Sequence, residues 1–168
     1  EDHSLPPFHP PEIIAVDLAG LALELALWGV GGPGQLRWLD PPRKGAYQQA
    51  VQLLQSLGAI SDVGRITDSG RQLAALPVHP RLGHMLLMAK GLGDGPLACD
   101  LAAILSERDL VVRGGSQASA ELRLRLQLLQ LWRKDGDAAL RREGGDPETC
   151  RRIDRESRRW QSQLDRPN

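Results

Sequence analysis

His79 and His84 lie five residues apart and are the nearest approach in this chain to a metal-ligand pair. A closed zinc site needs four ligands, and nothing near them supplies the other two. Pro80 separates the two at a predicted helix start, so a turn-packing role is expected. Gly114, Ser116 and Ala118 approach the serine-nucleophile elbow, but the last glycine is missing and the surroundings read loop then helix, not strand then helix. A phosphate-binding loop needs glycine amides around the phosphate and a lysine directly after the last glycine. The three lysines here follow Arg43, Ala89 and Arg133, and no Asp-Glu doublet is present to hold magnesium for nucleotide hydrolysis. Cys99 and Cys150, the only cysteines, have no neighbouring metal-ligand partner and fall within predicted helices, which offers neither a disulfide framework nor a zinc cluster. Apolar surroundings on a helix seam disfavour the Cys150 thiolate needed for attack. No catalytic residue and no metal ligand is expected.

What remains is arginine. Of the 21 basic residues 18 are arginine, and the 21 acidic residues cancel them, so any polyanion site must be local. Arg81, Arg108, Arg113 and Arg123 cluster where predicted helices begin or end, positions from which a guanidinium reaches a backbone phosphate. The competing expectation is pairing with nearby acids, since Glu107 and Asp109 flank Arg108 and Glu121 precedes Arg123. Arg151, Arg155 and Arg158 line one face of a last helix in which Asp154 and Glu156 interleave, a pattern that favours a solvated face over a phosphate track.

The elements that must position these groups are mostly helical. Hydrophobic residues make up 41% of the 168 and aromatic residues only 4%, with leucine, alanine and arginine abundant, which favours helix over sheet. Residues 1–10 read as a proline-rich linker, with Pro11 in the first turn of a helix to Trp28 whose apolar face carries Ile14, Leu18, Leu21, Leu25 and Trp28. Leu36 and Trp38 form a predicted short strand. A helix from about Lys44 to Leu57, two very short strands over Ala59 to Thr67 and a Thr67-capped helix to Leu76 complete a winged-helix-like unit over 11–77.

Beyond Pro77 the chain, 78–168, reads as a helical bundle. Leu82, Met85, Leu86 and Ala89 form one stripe, and Leu97, Leu101, Ile104 and Leu105 the next. A helix from about Ser119 to Lys134 turns Leu122, Leu126 and Leu129 inward and Arg123, Gln127, Gln130 and Lys134 outward. The last helix starts at Asp146-Pro147 and places Cys150, Ile153, Ser157, Trp160 and Leu164 on one seam. The fold class expected is therefore mainly α, with one small hairpin. No apolar run is long enough to span a bilayer, a reducing, cytoplasmic setting is expected, and a chain that begins at Glu1 suggests a piece of a longer protein.

Read in order, these segments resemble a known family. Pro11-Glu12-Ile13, Asp17-Leu18-Ala19, Leu23-Glu24-Leu25-Ala26 with Trp28-Gly29, Trp38-Leu39-Asp40-Pro41-Pro42, Leu57-Gly58-Ala59 and Gly64-Arg65-Ile66-Thr67 are followed by Gly70 and Ala74-Ala75-Leu76-Pro77. His79-Pro80-Arg81-Leu82 and Leu101-Ala102-Ala103-Ile104-Leu105-Ser106-Glu107-Arg108-Asp109 close the series. The order is similar to the region after the second motor domain of DEAH-box ATP-dependent helicases, and the Trp-Leu-Asp-Pro-Pro and Ser-Glu-Arg-Asp forms resemble the bacterial HrpB branch. The likeness covers about residues 10–112, and the Arg-rich remainder fits the same branch more loosely.

That resemblance implies a winged helix followed by a ratchet-like helical bundle, an accessory piece without ATPase activity or cofactor of its own. It implies that ATP and magnesium belong to two RecA-like domains absent from this chain, which would be its partners. The bundle would close over single-stranded RNA or DNA, at Arg81, Arg108, Arg113 and Arg123, with weak binding in isolation because few aromatic residues are present to stack on bases. Two other functions fit the residues: a winged-helix DNA-binding module entering a groove through Lys44 to Leu57, and a protein-interaction scaffold using Ile153, Trp160 and Leu164. The first is short of phosphate-neutralising charge, since Lys44 is followed by Gln48, Gln49, Gln52 and Gln55.

Overall fold

Where the sequence supplies a start or stop signal, the helices begin and end on it. The computed structural model describes residues 17–107, 110 and 121–166, so the linker over 1–10, the expected helix start at Pro11 and Ile14 lie outside the described residues. Helix α1, Ala19–Leu27, opens with the Asp17 carboxylate accepting from the Ala19 N–H at 2.7 Å. A 3₁₀ turn, Pro33–Gln35, follows, and α2 occupies Lys44–Ser56. The expected stop at Gly58 is made by paired bonds from Gly58 N–H to Gln55 O and from Ala59 N–H to Leu54 O. Helix α3, Asp68–Ala74, is capped by Thr67, whose hydroxyl accepts from the Gly70 N–H at 3.0 Å. Helices α4 (Pro80–Leu92), α5 (Gly95–Ser106), α6 (Leu122–Arg142) and α7 (Pro147–Leu164) complete the order.

The chain divides into two compact units, one ending at His84 and the other starting at Met85, within α4. In the first, α1 packs against α2 and α3 around Leu18, Leu23, Leu25, Leu54 and Leu73, all buried. The mainly helical class is as expected, but the small hairpin is not. Among the described residues there is no strand, and a single antiparallel bridge, Ile60 to Ile66, stands where two short strands were predicted. The reason lies in Thr67: its hydroxyl donates toward Gly58 O (2.6 Å) and Ala59 O (3.1 Å), while its N–H takes Ala59 O, and the chain turns at once into α3. The pairing therefore stops at the one bridge, whose two bonds are Thr67 N–H to Ala59 O and Ser61 N–H to Arg65 O. The strand expected at Leu36 and Trp38 is also absent; the Trp38 indole N–H donates to Pro33 O at 2.6 Å and closes an irregular loop. Trp28, expected on the core face of α1, is 67% exposed.

In the second unit α5 packs most extensively against α7, and α6 lies against both. Of the predicted face of α5, Ile104 is buried and Leu101 half-buried, but the other two positions fail in a specific way. Leu97 and Leu105 are exposed, while Ala98, Cys99, Ala102 and Ala103 are buried. Small side chains let two helix backbones approach, and the buried seam of α7, carrying Cys150, Ile153, Ser157, Trp160 and Leu164 as expected, fills that face. Helix α6 runs past the expected end at Lys134 but breaks at Gly136 (φ 79°, ψ −170°), where the Trp132 indole N–H reaches forward to Asp137 at 2.8 Å. Leu128 and Leu129 before the break and Ala139 and Leu140 after it are its buried residues, whereas Leu122 and Leu126 are half-buried.

A Cβ at Gly70 would lie 2.0 Å from Ala59 O and 2.8 Å from the Ile66 side chain. Gly70→Ala is therefore expected to cost about 1–3 kcal/mol, seen as a lower midpoint in thermal denaturation. Gly20→Ala, on an exposed turn of α1 with nothing within 4 Å, should leave the midpoint unchanged or raise it. The Asp146 carboxylate caps α7 by accepting from Thr149 Oγ1 (2.5 Å) and from the N–H groups of Thr149 (3.1 Å) and Glu148 (3.2 Å). Those bonds, the Thr149 hydroxyl first, hold its pKa below the ordinary aspartate value. A lowered folded pKa stabilises fully above about pH 4–5 and is lost as pH falls through the folded value. Asp146→Asn, which keeps the cap, should flatten that part of the acid limb of a stability–pH curve.

Candidate nucleic-acid interface

The second unit is organised around one guanidinium. Arg133, on the inner side of α6, donates through both Nη atoms to the two oxygens of Asp100 on α5, each at 2.7 Å, and through Nε to Asp154 on α7 at 2.6 Å. The Ser157 hydroxyl donates to the same Asp100 at 2.5 Å, the Gln161 amide donates to Ser157 at 3.0 Å, and Arg158 pairs with the second oxygen of Asp154 at 2.8 Å. The Asp100 side chain is 9% exposed and that of Arg133 26%. Hydrogen bonds to Asp100, then to Asp154, raise the Arg133 pKa despite its burial, so its charge is fixed. Three helices thus share one planar cation whose donor fork matches two carboxylates, a geometry lysine does not offer. Sequence reading did not find this cluster; the one signal available was a lone aspartate inside the otherwise apolar α5.

Several other arginines of this unit are paired at the surface. Arg151 pairs with Asp137, Arg152 with Glu107 (3.3 Å) and Glu148 (3.4 Å), and Arg159 with Glu156 (3.5 Å). Glu107, expected beside Arg108, is thus held by Arg152. These exposed pairs contribute little stability each. The Trp132 indole, then Arg151 and Arg141, lower the pKa of Asp137, which keeps that carboxylate charged opposite α7. On the face of α7 expected to be solvated, Arg151, Arg155 and Arg158 are exposed, the first and last of them paired with Asp137 and Asp154.

Of the four arginines expected to contact phosphate, Arg108 and Arg113 lie outside the described residues. Arg81 and Arg123 are exposed, each the second residue of its helix, α4 and α6. They belong to different compact units, so each is taken with its own surroundings. Arg81 stands near Asp17, whose pKa is lowered first by the Ala19 N–H and then by His79 and Arg81. Arg123 begins an exposed line continued by Gln127, Gln130 and Lys134.

The remaining candidates are structural. His79 pairs with Asp17 at 3.4 Å and its Nδ1 accepts from the Arg81 N–H, a turn-packing role. Among the described residues no group of three His, Cys, Asp or Glu side chains is placed to hold a metal. Burial pushes the Cys99 thiol up to about 11 and the Cys150 thiol up to about 12, so neither is a ready nucleophile. Gly114, Ser116 and Ala118 lie outside the described residues. The first unit carries a concavity of about 660 Å³ lined by Pro33, Leu36, Trp38, Pro42 and Tyr47, with Lys44 as its one charged wall. Burial raises the Tyr47 pKa, in keeping with an apolar hollow and not an anion site.

The chain matches the family described as "Helicase associated domain (HA2), winged-helix" over residues 50–78. It is 43% identical over 97 residues to the ATP-dependent RNA helicase HrpB of Escherichia coli K12, covering 58% of this chain and 12% of that protein. It is 31% identical over 140 residues to the probable ATP-dependent RNA helicase DHR2 of Saccharomyces cerevisiae, covering 83% and 19%. The crystal structure of Escherichia coli DEAH/RHA helicase HrpB superposes with a TM-score of 0.68 at 28% identity, over 95% of this chain and 17% of that one. The chain therefore spans less than a fifth of the length of these relatives. Among the described residues no helix is long and apolar enough to cross a membrane.

Arg133→Met would leave Asp100 buried without a cation and Asp154 with Arg158 alone, and is expected to cost about 3–5 kcal/mol in chemical denaturation. Arg133→Lys should recover only part of it, because an ammonium cannot serve both carboxylates in plane. A variant as stable as the parent would show that the fork does not hold the three helices.

Proposed function

We propose that this chain, which belongs to the HrpB-type DEAH-box helicases through its helicase-associated region, is an accessory, non-motor part of an ATP-dependent helicase. Its first unit joins the second to a RecA-like motor, and the second is a ratchet-like bundle that clamps single-stranded nucleic acid. The observation that carries this reading is the match over 95% of the chain to 17% of an HrpB structure, set beside a sequence in which no lysine follows a phosphate-binding glycine loop. ATP and magnesium would be bound by the motor, and RNA, the substrate class in the relatives' names, is the first strand to test.

Exposed Arg81 and Arg123 supply local positive charge, while the chain as a whole is neutral, so the strand is held at points and not drawn in by a net field. One phenylalanine, one tyrosine and four tryptophans leave little for base stacking. Binding by the chain alone should accordingly be weak and salt-sensitive. In fluorescence anisotropy with a labelled 20-nucleotide polyuridine, dissociation constants in the micromolar range or above are expected at physiological salt. Added to the separately purified motor domains, the chain should raise RNA-stimulated ATP hydrolysis without turning over ATP itself. Turnover by the chain alone, or submicromolar binding, would overturn the accessory role.

A further inference from the structure

Two groups of cations in the second unit differ chemically, with exposed Arg142, Arg155 and Arg166 belonging to neither. Along α7 the guanidiniums of Arg151, Arg152, Arg158 and Arg159 are each engaged by a carboxylate. A phosphate approaching them must displace an acid that stays beside it. Along α6 the spacing of Arg123, Gln127, Gln130 and Lys134, in steps of four, three and four, sets them on one line, and all four are exposed. No acid stands on that line, and among the described residues neither Arg123 nor Lys134 makes an ion pair or a hydrogen bond through its side chain.

The line is also held still. Leu128 and Leu129 bury the opposite side of the same turns, and Arg133, next to Lys134, is fixed inward by Asp100 and Asp154. From residue 123 to residue 134 the helix rises about 16 Å. A cation at each end with two amides between them suits a sugar-phosphate backbone: the charges meet phosphates, and the amides donate to or accept from sugar and base edges without demanding a sequence.

We propose that the strand contact of the second unit runs along this α6 line and not along the arginine-rich α7. This rests on the accessory reading above and makes it specific: phosphates sit on Arg123 and Lys134, with Gln127 and Gln130 between them. The ligand is a single-stranded polynucleotide, recognised by its backbone.

The test is anisotropy on the full chain at several salt concentrations, with labelled 20-nucleotide polyuridine and polydeoxythymidine. Arg123→Ala/Lys134→Ala should weaken binding about five- to tenfold at low salt and reduce the log–log salt slope by about 1.4, two contacts at ~0.7 each for a single strand. Gln127→Ala/Gln130→Ala should weaken both strands without changing the slope. Arg151→Ala/Arg159→Ala, on α7 and each engaged by an acid, should change affinity less than twofold, and unchanged circular dichroism melts confirm the fold of every variant. If the parent binds and the α6 pair binds as well as the parent, or the α7 pair loses as much, the α6 assignment is overturned while the accessory reading stands. If the parent binds neither strand, that reading falls and the assignment falls with it. A loss for polyuridine alone would show contacts to the 2′-hydroxyl and overturn recognition by the backbone shared with DNA.

Discussion

The Arg133 fork is the constraint on which the second unit depends. A guanidinium offers five donors in a plane, and here they are divided between Asp100 on one helix and Asp154 on another. Removing charges from water is costly, and the cost is recovered only where geometry and further hydrogen bonds are good. Ser157, Gln161 and Arg158 supply those further bonds. The cluster therefore fixes the register of α5, α6 and α7 more sharply than an apolar contact would, since sliding any helix by one turn strands a buried charge. That register is what turns the α6 line outward.

Packing around the fork follows from it. For the Asp100 carboxylate to reach both Arg133 and Ser157, α5 must lie close to α7, and alanines and a cysteine on its inner face permit that approach. Its leucines then face outward at positions 97 and 105. The first unit solves a comparable problem with backbone, not charge: Thr67 caps α3 and also takes the carbonyls of Gly58 and Ala59, and Gly70 must lack a side chain so that the Ala59 carbonyl can lie against it. In both units a single polar group ties together segments that apolar contacts alone would leave free to slide.

These features divide by how local their causes are. Thr67, Gly58 and Asp146-Pro147 act within a few residues of themselves, and the helix ends they set were legible directly. The order of motifs was legible for the same reason, and with it the helicase likeness. The face of α5 was not, because a leucine stripe is the ordinary mark of a core face and nothing nearby reveals that α7 demands small neighbours. Asp100 and Arg133 are 33 residues apart in sequence, and each alone reads as an ordinary helix polar residue. The hairpin shrank to one bridge because Thr67, whose N–H closes that bridge on Ala59, is also the cap at which the chain turns into α3.

Charge accounting explains why an arginine-rich helix is the poorer candidate for a polyanion. Residues 85–168 hold 15 basic and 13 acidic side chains, so almost every acid has a cation to occupy. Where pairs form across helices, as between Asp137 and Arg151 or Glu107 and Arg152, they neutralise α7. Arg123 and Lys134 are among the cations left without an ion pair, and glutamines occupy the places between them on α6. Counting arginines along a helix measures composition; the potential met by a phosphate depends on which of them remain unneutralised.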